Sequence, residues 1–270
     1  MNKDFPEFSE EHVARCSEES AELWAEQVRK GLDIYREYLN NPAFFRFAGT
    51  LKGKKVLDAG CGEGYNTRIM ARMGARVTGI DISPTRISLA RREERREPLG
   101  IRYCVGSFTD LSMFDDASSD MVISNMALDG SPNFERAISE FFRVLRSGGK
   151  LFFSISHPCF VTKGLGWIKD ETGEDSKLTA SHYFDESPRV DEWRFTYAPP
   201  ETKPFVTPAF YRTLSRILKT LIRTGFVLRD IEEPRPSEEA CRRFPRMKKW
   251  REHAALFLYI QCEKPKVEGQ

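Results

Sequence analysis

A short apolar run that ends in an acid and three alternating glycines, VLDAGCGEGY at residues 56–65, restricts the fold more than any other stretch of this sequence. The overlapping run KKVLDAG has the composition of a β-strand, and residues 64–73 have the pattern of a helix that Gly74 closes. A loop between a parallel strand and a helix is where open α/β sheets bind ligands. The stretch therefore predicts a parallel sheet with a ligand site at the carboxyl end of its first strand.

Strand and helix patterns alternate beyond this loop. Four more strands are predicted at ARVTGID, IRYCVG, DMVISN and KLFFSIS. Ser83-Pro84 and Ser131-Pro132 each combine a helix N-cap with a proline in the first turn. A helical lead-in is predicted over about 17–39, and the helix RTLSRILKTLIRTG is followed by the strands FVLRDIEE and AALFLYIQCEK. Because the early strands are apolar on both faces, they predict a mostly parallel sheet covered by helices on both sides.

Composition limits the classes of partner. The 42 basic and 40 acidic residues leave a formal net charge of +2, which argues against a surface built for nucleic acid or an anionic membrane. The six cysteines are scattered without a CxxC pair, which argues against a disulfide framework or structural zinc and favours a reducing cytoplasm. No run approaches the roughly 20 apolar residues of a membrane span, and the first residues lack an apolar leader. We expect a cytoplasmic protein, monomeric or homodimeric, that does not bind a membrane; His182 and Asp185 are too isolated to indicate a metal site.

The glycine spacing distinguishes between nucleotide ligands. Gly60, Gly62 and Gly64 are followed by Tyr65, whereas a dinucleotide fingerprint requires G-x-G-x-x-G, and no GK[ST] of a P-loop is present. Asp58 would repel a pyrophosphate but suits a cation. Asp81 ends the second predicted strand, where an acid accepts hydrogen bonds from ribose hydroxyls. The pattern predicts a nucleoside ligand with a ribose, a positive charge and no phosphate.

These segments resemble a known family. VLDAGCGEGYNTR, followed by VTGIDIS, looks like motif I and the next acidic strand end of class I S-adenosylmethionine-dependent methyltransferases, and EFFRVLRSGGKLFFSISHP is similar to their segment leading into strand five. More loosely, the chain resembles small-molecule members of the methyltransferase type 11 kind. The resemblance implies a Rossmann-like α/β fold: a seven-stranded, mostly parallel sheet with an antiparallel last strand, helices on both faces, an N-terminal helical lead-in and an inserted cap after strand five. The expected units are a helical lid at 1–50, a cofactor-binding core at 51–156, a substrate cap at 157–210 and a core-completing segment at 211–270.

The resemblance also implies a cofactor, S-adenosyl-L-methionine, with S-adenosyl-L-homocysteine as product. Carried over position by position, the resemblance implies that Asp58, Gly60 and Gly62 line the methionine moiety and that Gly64 is a further cofactor-binding position of the loop. It implies that Asp81 binds the ribose and that Ile82 packs on the adenine. Ser107 and Phe108 are expected to meet the adenine edge, and the backbone of Asn125 and Met126 to face the methionyl group. The family often has an acid where this chain has Ser107, so the edge contact is expected to be weaker or made by the backbone. Cys61 is expected to fill space behind the loop.

The acceptor side is less defined. Methyl transfer is an in-line displacement that needs alignment, exclusion of water and a base if the nucleophile carries a proton. Asp129 and His157, which follow the fourth and fifth predicted strands, are the candidate bases; each has a structural alternative, as a turn acid and as a core histidine. Tyr211 and Arg212 either bind a polar or anionic acceptor or pin a lid.

The prediction is methyl transfer to nitrogen or oxygen of a small-molecule acceptor. The basic run at 242–253 keeps an RNA or other nucleic-acid methyltransferase as an alternative, although NMAL replaces the [DNS]-P-P-[YFW] of amino-directed nucleic-acid enzymes. A nucleotide-binding oxidoreductase is a second alternative.

Overall fold

The structure, a computed structural model, describes residues 8–266. The strands within that range are β1 (Lys55–Ala59), β2 (Arg76–Asp81), β3 (Arg102–Val105), β4 (Ser119–Asn125), β5 (Leu145–Ser156), β6 (Gly166–Lys169), β7 (Asp175–Thr179), β8 (Arg189–Trp193), β9 (Phe205–Ala209), β10 (Val227–Glu232) and β11 (Phe257–Glu263). Seven of them form the central sheet in the order β3-β2-β1-β4-β5-β11-β10. Strands β1 to β5 pair in parallel, and β11 runs antiparallel to both of its neighbours. The predicted Rossmann-like sheet with an antiparallel last strand is confirmed.

Helices surround this sheet. They are α1 (Glu10–Arg29), α2 (Asn41–Ala48), α3 (Tyr65–Arg72), α4 (Pro84–Arg96), α5 (Phe134–Val144), α6 (Leu214–Thr224), α7 (Glu238–Arg243) and α8 (Lys248–Glu252). The Ser83 cap is confirmed, since its hydroxyl accepts the Arg86 N–H at the start of α4. Ser131 does not cap α5, which begins at Phe134 after Asn133. None of the helices described between residues 8 and 266 is long and apolar enough to cross a membrane.

The lead-in differs from its predicted form. Helix α1 ends at Arg29 instead of continuing to about residue 39, and Gly31 follows with φ 73°. A left-handed glycine is a common way to end a helix. The chain then forms a π-helix at Arg36–Asn40, a geometry that is rare and frequent at functional sites.

The two faces of the sheet carry separate apolar cores. On β5, Phe152 packs into one core with Phe44 and Tyr259, whereas Phe153 packs into the other with Phe134 and Ile138. Successive strand residues point to opposite faces, so this alternation buries both sides. The buried sheet fixes the carboxyl ends of β1, β2 and β4 beside one another.

The predicted cap segment, 157–210, forms two β-hairpins, β6–β7 and β8–β9. The second hairpin packs on α1 through a cluster of four rings, Trp24, Trp193, Phe195 and Phe205, with centroids 4.9–5.6 Å apart. We call these rings the lid cluster. The lead-in helix and the hairpin therefore cover the carboxyl edge of the sheet together.

Candidate active site

A cavity of about 720 Å³, here called the main cavity, lies between the carboxyl edge of the sheet, α1 and the β8–β9 hairpin. Its size falls in the range of small-molecule sites, roughly 300–1,000 Å³. Ten of the predicted site residues line it: Asp58, Gly60, Gly62, Asp81, Ile82, Ser107, Phe108, Asn125, Met126 and Asp129. Gly64, His157, Tyr211 and Arg212 are outside its lining.

The glycine loop requires two of its glycines for different reasons. At Gly60 (φ 82°) an added Cβ would lie 2.3 Å from the Cβ of Ala127, so a side chain there would collide with the segment after β4. At Gly64 (φ 83°) it would lie 2.5 Å from the hydroxyl oxygen of Tyr103. Gly60 thus allows the loop to approach the segment after β4, whereas Gly64 allows the start of α3 to approach β3 and α4. The predicted ligand contact of Gly64 is corrected to this packing role.

Cys61 lies between these glycines and is buried behind them. Its sulfur lies 2.9 Å from the position that a Cβ on Gly79 would take, so it fills the space left by that glycine. Burial and the nearby carboxylates raise the pKa of the Cys61 thiol, which keeps it protonated and weakly nucleophilic. This environment fits the space-filling role expected for Cys61.

Asp58, beside the loop, is a buried carboxylate. It is 2% exposed, and its Oδ2 accepts the hydroxyl of Thr67 at 2.6 Å. Burial, with smaller contributions from Asp81 and Glu63, raises the pKa of Asp58 to about 7. A buried carboxylate without a cationic partner is costly. This end of the main cavity therefore favours a ligand with a positive charge.

Asp81 is held by two backbone groups. Its Oδ2 accepts the Gly62 N–H at 2.9 Å and its Oδ1 accepts the Ser83 N–H at 3.0 Å. Each carboxylate oxygen can accept more than one hydrogen bond, so capacity remains for two hydroxyl donors. Beside it, Ile82 and Phe108 supply an apolar surface to the same cavity.

The position of Ser107 contains a contact that the sequence did not reveal. The Ser107 hydroxyl donates to the carboxylate of Glu10 on α1, and the Thr109 hydroxyl donates to the same oxygen at 2.6 Å. Glu10 lines the main cavity. A carboxylate therefore lies beside Ser107 in the folded chain, contributed by a residue 97 positions earlier.

Two buried hydrogen-bond donors, on Asn125 and Arg36, also belong to residues that line the main cavity. Asn125 accepts Asn40 Nδ2 and the Ser154 hydroxyl on Oδ1, each at 2.8 Å, which orients its amide. Among the described residues, Asn125 Nδ2 and Arg36 Nη2 have no hydrogen-bond partner although both atoms are buried. Buried donors are normally satisfied, so both indicate a missing acceptor. Met126, next in the chain, has φ 55°, a conformation that is uncommon for non-glycine residues.

Asp129 lies in a short 3₁₀ turn, Leu128–Gly130, at the far side of the main cavity. Its Oδ2 accepts the Ser156 N–H at 2.8 Å, and its carbonyl accepts the Phe210 N–H. Burial raises the pKa of Asp129, against the opposing effects of the Ser156 hydrogen bond and of Arg212. A desolvated carboxylate of this kind is a competent proton acceptor.

His157, the other predicted base, does not reach this cavity. It is 3% exposed, its Nε2 lies 2.7 Å from Glu233 Oε1, and its Nδ1 accepts the Cys159 N–H. Since Nδ1 accepts, Nε2 carries the proton and donates, so neither ring nitrogen is left to accept a proton from a ligand. The geometry corrects the predicted catalytic role of His157 to its structural alternative, anchoring the start of the cap.

Tyr211 and Arg212 line a smaller neighbouring cavity of about 140 Å³, here called the side cavity. The Tyr211 hydroxyl donates to Asp191, and Arg212 donates to the carbonyls of Leu128, Phe210 and Ser131. Arg212 therefore fixes both ends of the turn that carries Asp129. The pair therefore lines the side cavity and not the main cavity, and its predicted contact with a polar or anionic acceptor stays a prediction.

Comparison with known proteins agrees with this geometry. The family model described as a methyltransferase domain matches residues 57–153. A ubiquinone biosynthesis O-methyltransferase of Coxiella burnetii is 35% identical over 120 residues, which cover 43% of this chain and 51% of the relative, about half its length. An S-adenosylmethionine-dependent methyltransferase from Mesorhizobium loti (TM-score 0.68, 25% identity, 82% of this chain and 96% of the other) has a similar structure. So does a proposed methyltransferase of that kind from Listeria monocytogenes (TM-score 0.65, 28% identity, 80% and 92%).

Proposed function

Because this chain is a class I S-adenosylmethionine-dependent methyltransferase, we propose that it methylates a nitrogen or oxygen atom of a small-molecule acceptor held in the main cavity. The observation that carries the proposal is the continuity of that cavity. It extends from the glycine loop, where the cofactor belongs, to Asp129 and the β8–β9 hairpin, where an acceptor has room.

The wall of the main cavity fits the cofactor group by group. Asp58 suits the ammonium of the amino-acid tail, and the unpartnered donors of Arg36 and Asn125 suit its carboxylate. Asp81 suits the ribose hydroxyls, and Ile82 and Phe108 suit the adenine ring. When bound, the cofactor supplies an electrophilic methyl group on a sulfonium whose leaving group is already activated. The protein then has to orient the acceptor and exclude water.

Asp129 is the residue that we assign to proton removal from the acceptor. Its turn is fixed by Arg212 through carbonyl contacts on either side, and its Oδ2 is fixed by the Ser156 N–H. Because burial raises its pKa, Asp129 is a stronger base than an exposed aspartate. A base that is already oriented contributes to the rate without further reorganisation.

A small acceptor is favoured over nucleic acid by the way the cavity is covered. The lid cluster joins α1 to the β8–β9 hairpin over the main cavity. The basic run at 242–253 is folded against the rest of the chain: it contains α8, buries Met247 and Trp250, and pairs Lys249 with Asp175 at 2.7 Å. The oxidoreductase alternative is set aside, because the family model that matches the glycine loop is a methyltransferase domain.

A screen for methyl transfer tests the proposal. Purified protein would be incubated with S-adenosylmethionine labelled in the methyl group and a panel of phenols, amines and heterocycles, with total RNA and DNA as separate arms. Labelling of a small acceptor supports the proposal, whereas labelling confined to nucleic acid contradicts it.

A further inference from the structure

The side cavity adjoins the proposed acceptor position. Asp129, Ser156, Val161 and Ala209 line both cavities. An acceptor whose reacting atom lies beside Asp129 can therefore extend from the main cavity into the side cavity. This makes the side cavity a place for a second functional group of the same molecule.

The charge of this cavity is dominated by Arg212. The guanidinium is largely buried and donates to three backbone carbonyls through Nη1 and Nη2. Within residues 8–266, no carboxylate oxygen lies within 4 Å of it, and its Nε has no hydrogen-bond partner. Burial lowers the pKa of Arg212 to about 10, which leaves it cationic at neutral pH. A buried cation without a direct anionic partner favours an anion in the adjacent space.

Asp129, Glu135 and Glu186 attract that cation from a distance, but no described acid pairs with it directly. Asp191, which also lines the side cavity, pairs with Arg189 at 2.5 Å and accepts the Tyr211 hydroxyl. Asp129, which lines the same cavity, accepts the Ser156 N–H. Glu135 and Glu186 are both paired with Arg216, at 2.8 and 2.7 Å.

Thr162 adds an independent sign of a missing partner. It lines the side cavity, is 4% exposed, and its buried hydroxyl has no hydrogen-bond partner among the described residues. A buried hydroxyl without a partner is destabilising. A ligand that accepts a hydrogen bond from it would remove that destabilisation.

Resting on the proposed function, we propose that the methyl acceptor is a carboxylic acid, whose carboxylate enters the side cavity toward Arg212 and Thr162 while its nucleophilic atom lies beside Asp129. The side cavity accommodates a carboxylate with a few carbon atoms, and the rest of the molecule occupies the main cavity. Arg212 then has two tasks, holding the Asp129 turn and neutralising the acceptor.

Matched ligands test this inference. Protein saturated with S-adenosylhomocysteine would be titrated with benzoate and benzamide by calorimetry, and a panel of hydroxy and amino acids would be compared with their carboxamides in the transfer assay. We expect the acids to bind and react at least tenfold better than the amides. Arg212→Gln should reduce that ratio to near one, and Thr162→Val, which keeps the shape of the side chain, should reduce it severalfold. Arg146→Gln, at the opposite end of the sheet, is the matched control and should leave it unchanged.

Each outcome decides the inference. The carboxylate assignment is overturned if, in the parent protein, the acids bind and react no better than the amides. It is equally overturned if no acid binds at all. The assignment is also overturned if Thr162→Val and Arg212→Gln both keep the parent's ratio of acid to amide binding and reactivity. If Arg212→Gln does not fold, the Thr162→Val variant decides alone. Methylation of uncharged acceptors only would overturn the carboxylate while leaving the proposed function intact. Failure to bind S-adenosylhomocysteine in the first place would overturn the proposed function instead.

Discussion

The Asp81 carboxylate accepts the backbone N–H of Gly62 at 2.9 Å, and this bond joins the end of β2 to the glycine loop that follows β1. The two strands are neighbours in the sheet, paired in register from Lys55 with Arg76 onward. The acid assigned to the ribose is therefore oriented by the loop, and the loop is in turn held by the acid.

Replacing Asp81 should weaken cofactor binding. Hydrogen bonds to charged groups contribute roughly 1.5–3 kcal/mol, so Asp81→Ala should raise the Kd of S-adenosylhomocysteine by about 10- to 150-fold in calorimetry. Asp115→Asn, at an exposed loop position, is the control and should bind like the parent. If Asp81→Ala bound S-adenosylhomocysteine as tightly as the parent, Asp81 would not be a cofactor-binding residue.

Asp58 should couple pH to both cofactor affinity and stability. Its pKa is about 7 in the folded protein against 3.8 when exposed, so the folded state holds the proton more tightly, and this group costs stability progressively as pH rises from about 3.8 to about 7. Asp58→Asn removes that cost. By thermal denaturation without cofactor, the variant should melt a few degrees above the parent at pH 8 and show little gain at pH 4.

The same carboxylate should make cofactor affinity rise with pH through about 7 in the parent, since only the ionised form attracts the ammonium. In Asp58→Asn the affinity should be weaker and independent of pH over that range. A parent whose affinity for S-adenosylmethionine is flat between pH 6 and 8 would contradict the assignment.

Much of the fold is readable from local sequence, and the reasons are visible in particular residues. The first five strands alternate with helices, and Ser83-Pro84 carries its cap signal in adjacent positions. Ser131-Pro132 shows the same signal, but Asn133 takes the cap position, because a two-residue pattern cannot fix where the first turn closes. The two hairpins of 157–210 were not predicted as strands, because their pairing depends on tertiary contacts such as the lid cluster.

The same distinction between local and tertiary features separates the site residues that the sequence identified from those it missed. Asp58, Gly60 and Asp81 were identifiable because strand ends and glycine spacing are local features. Glu10 was missed because it reaches Ser107 only after α1 folds across the sheet edge. Arg36 was missed because its position depends on the π-helix that follows Gly31.

His157 shows how the sequence misled the assignment of the base. Position alone could not show that both of its ring nitrogens are engaged. We now expect His157→Ala to lower the melting temperature with kcat within a few-fold of the parent. Losing buried hydrogen bonds costs about 1–3 kcal/mol, which corresponds to roughly 2–4 °C per kcal/mol in a chain of this size.

The pH dependence of stability separates the two roles of His157. Burial lowers the pKa of His157 below its ordinary 6.5, so the unfolded chain binds its proton more tightly and the parent loses stability as pH falls below about 6.5. His157→Ala should lose less free energy of unfolding than the parent as the pH falls below about 6.5. A large fall in kcat with unchanged melting temperature would restore the catalytic role.

For Asp129, unlike His157, we expect substitution to lower kcat and to leave the fold intact. Asp129→Asn retains an oxygen for the Ser156 N–H, so the turn should stay folded and S-adenosylhomocysteine should bind as in the parent. Removal of a general base lowers the rate by about 10²- to 10⁴-fold. In the parent, kcat should rise with pH through the raised pKa of Asp129, and this step should be absent in the variant. An unchanged kcat in Asp129→Asn would exclude it as the base.

The most direct measurement follows a labelled methyl group from S-adenosylmethionine into a cell extract separated into small molecules, RNA, DNA and protein, for the parent and for Asp129→Asn. If the main cavity holds a small acceptor beside Asp129, the parent should label the small-molecule fraction and the variant should label it at least a hundredfold more slowly, in line with the loss of a general base. Label that appears only in RNA, DNA or protein, or equally fast with both proteins, would contradict the account.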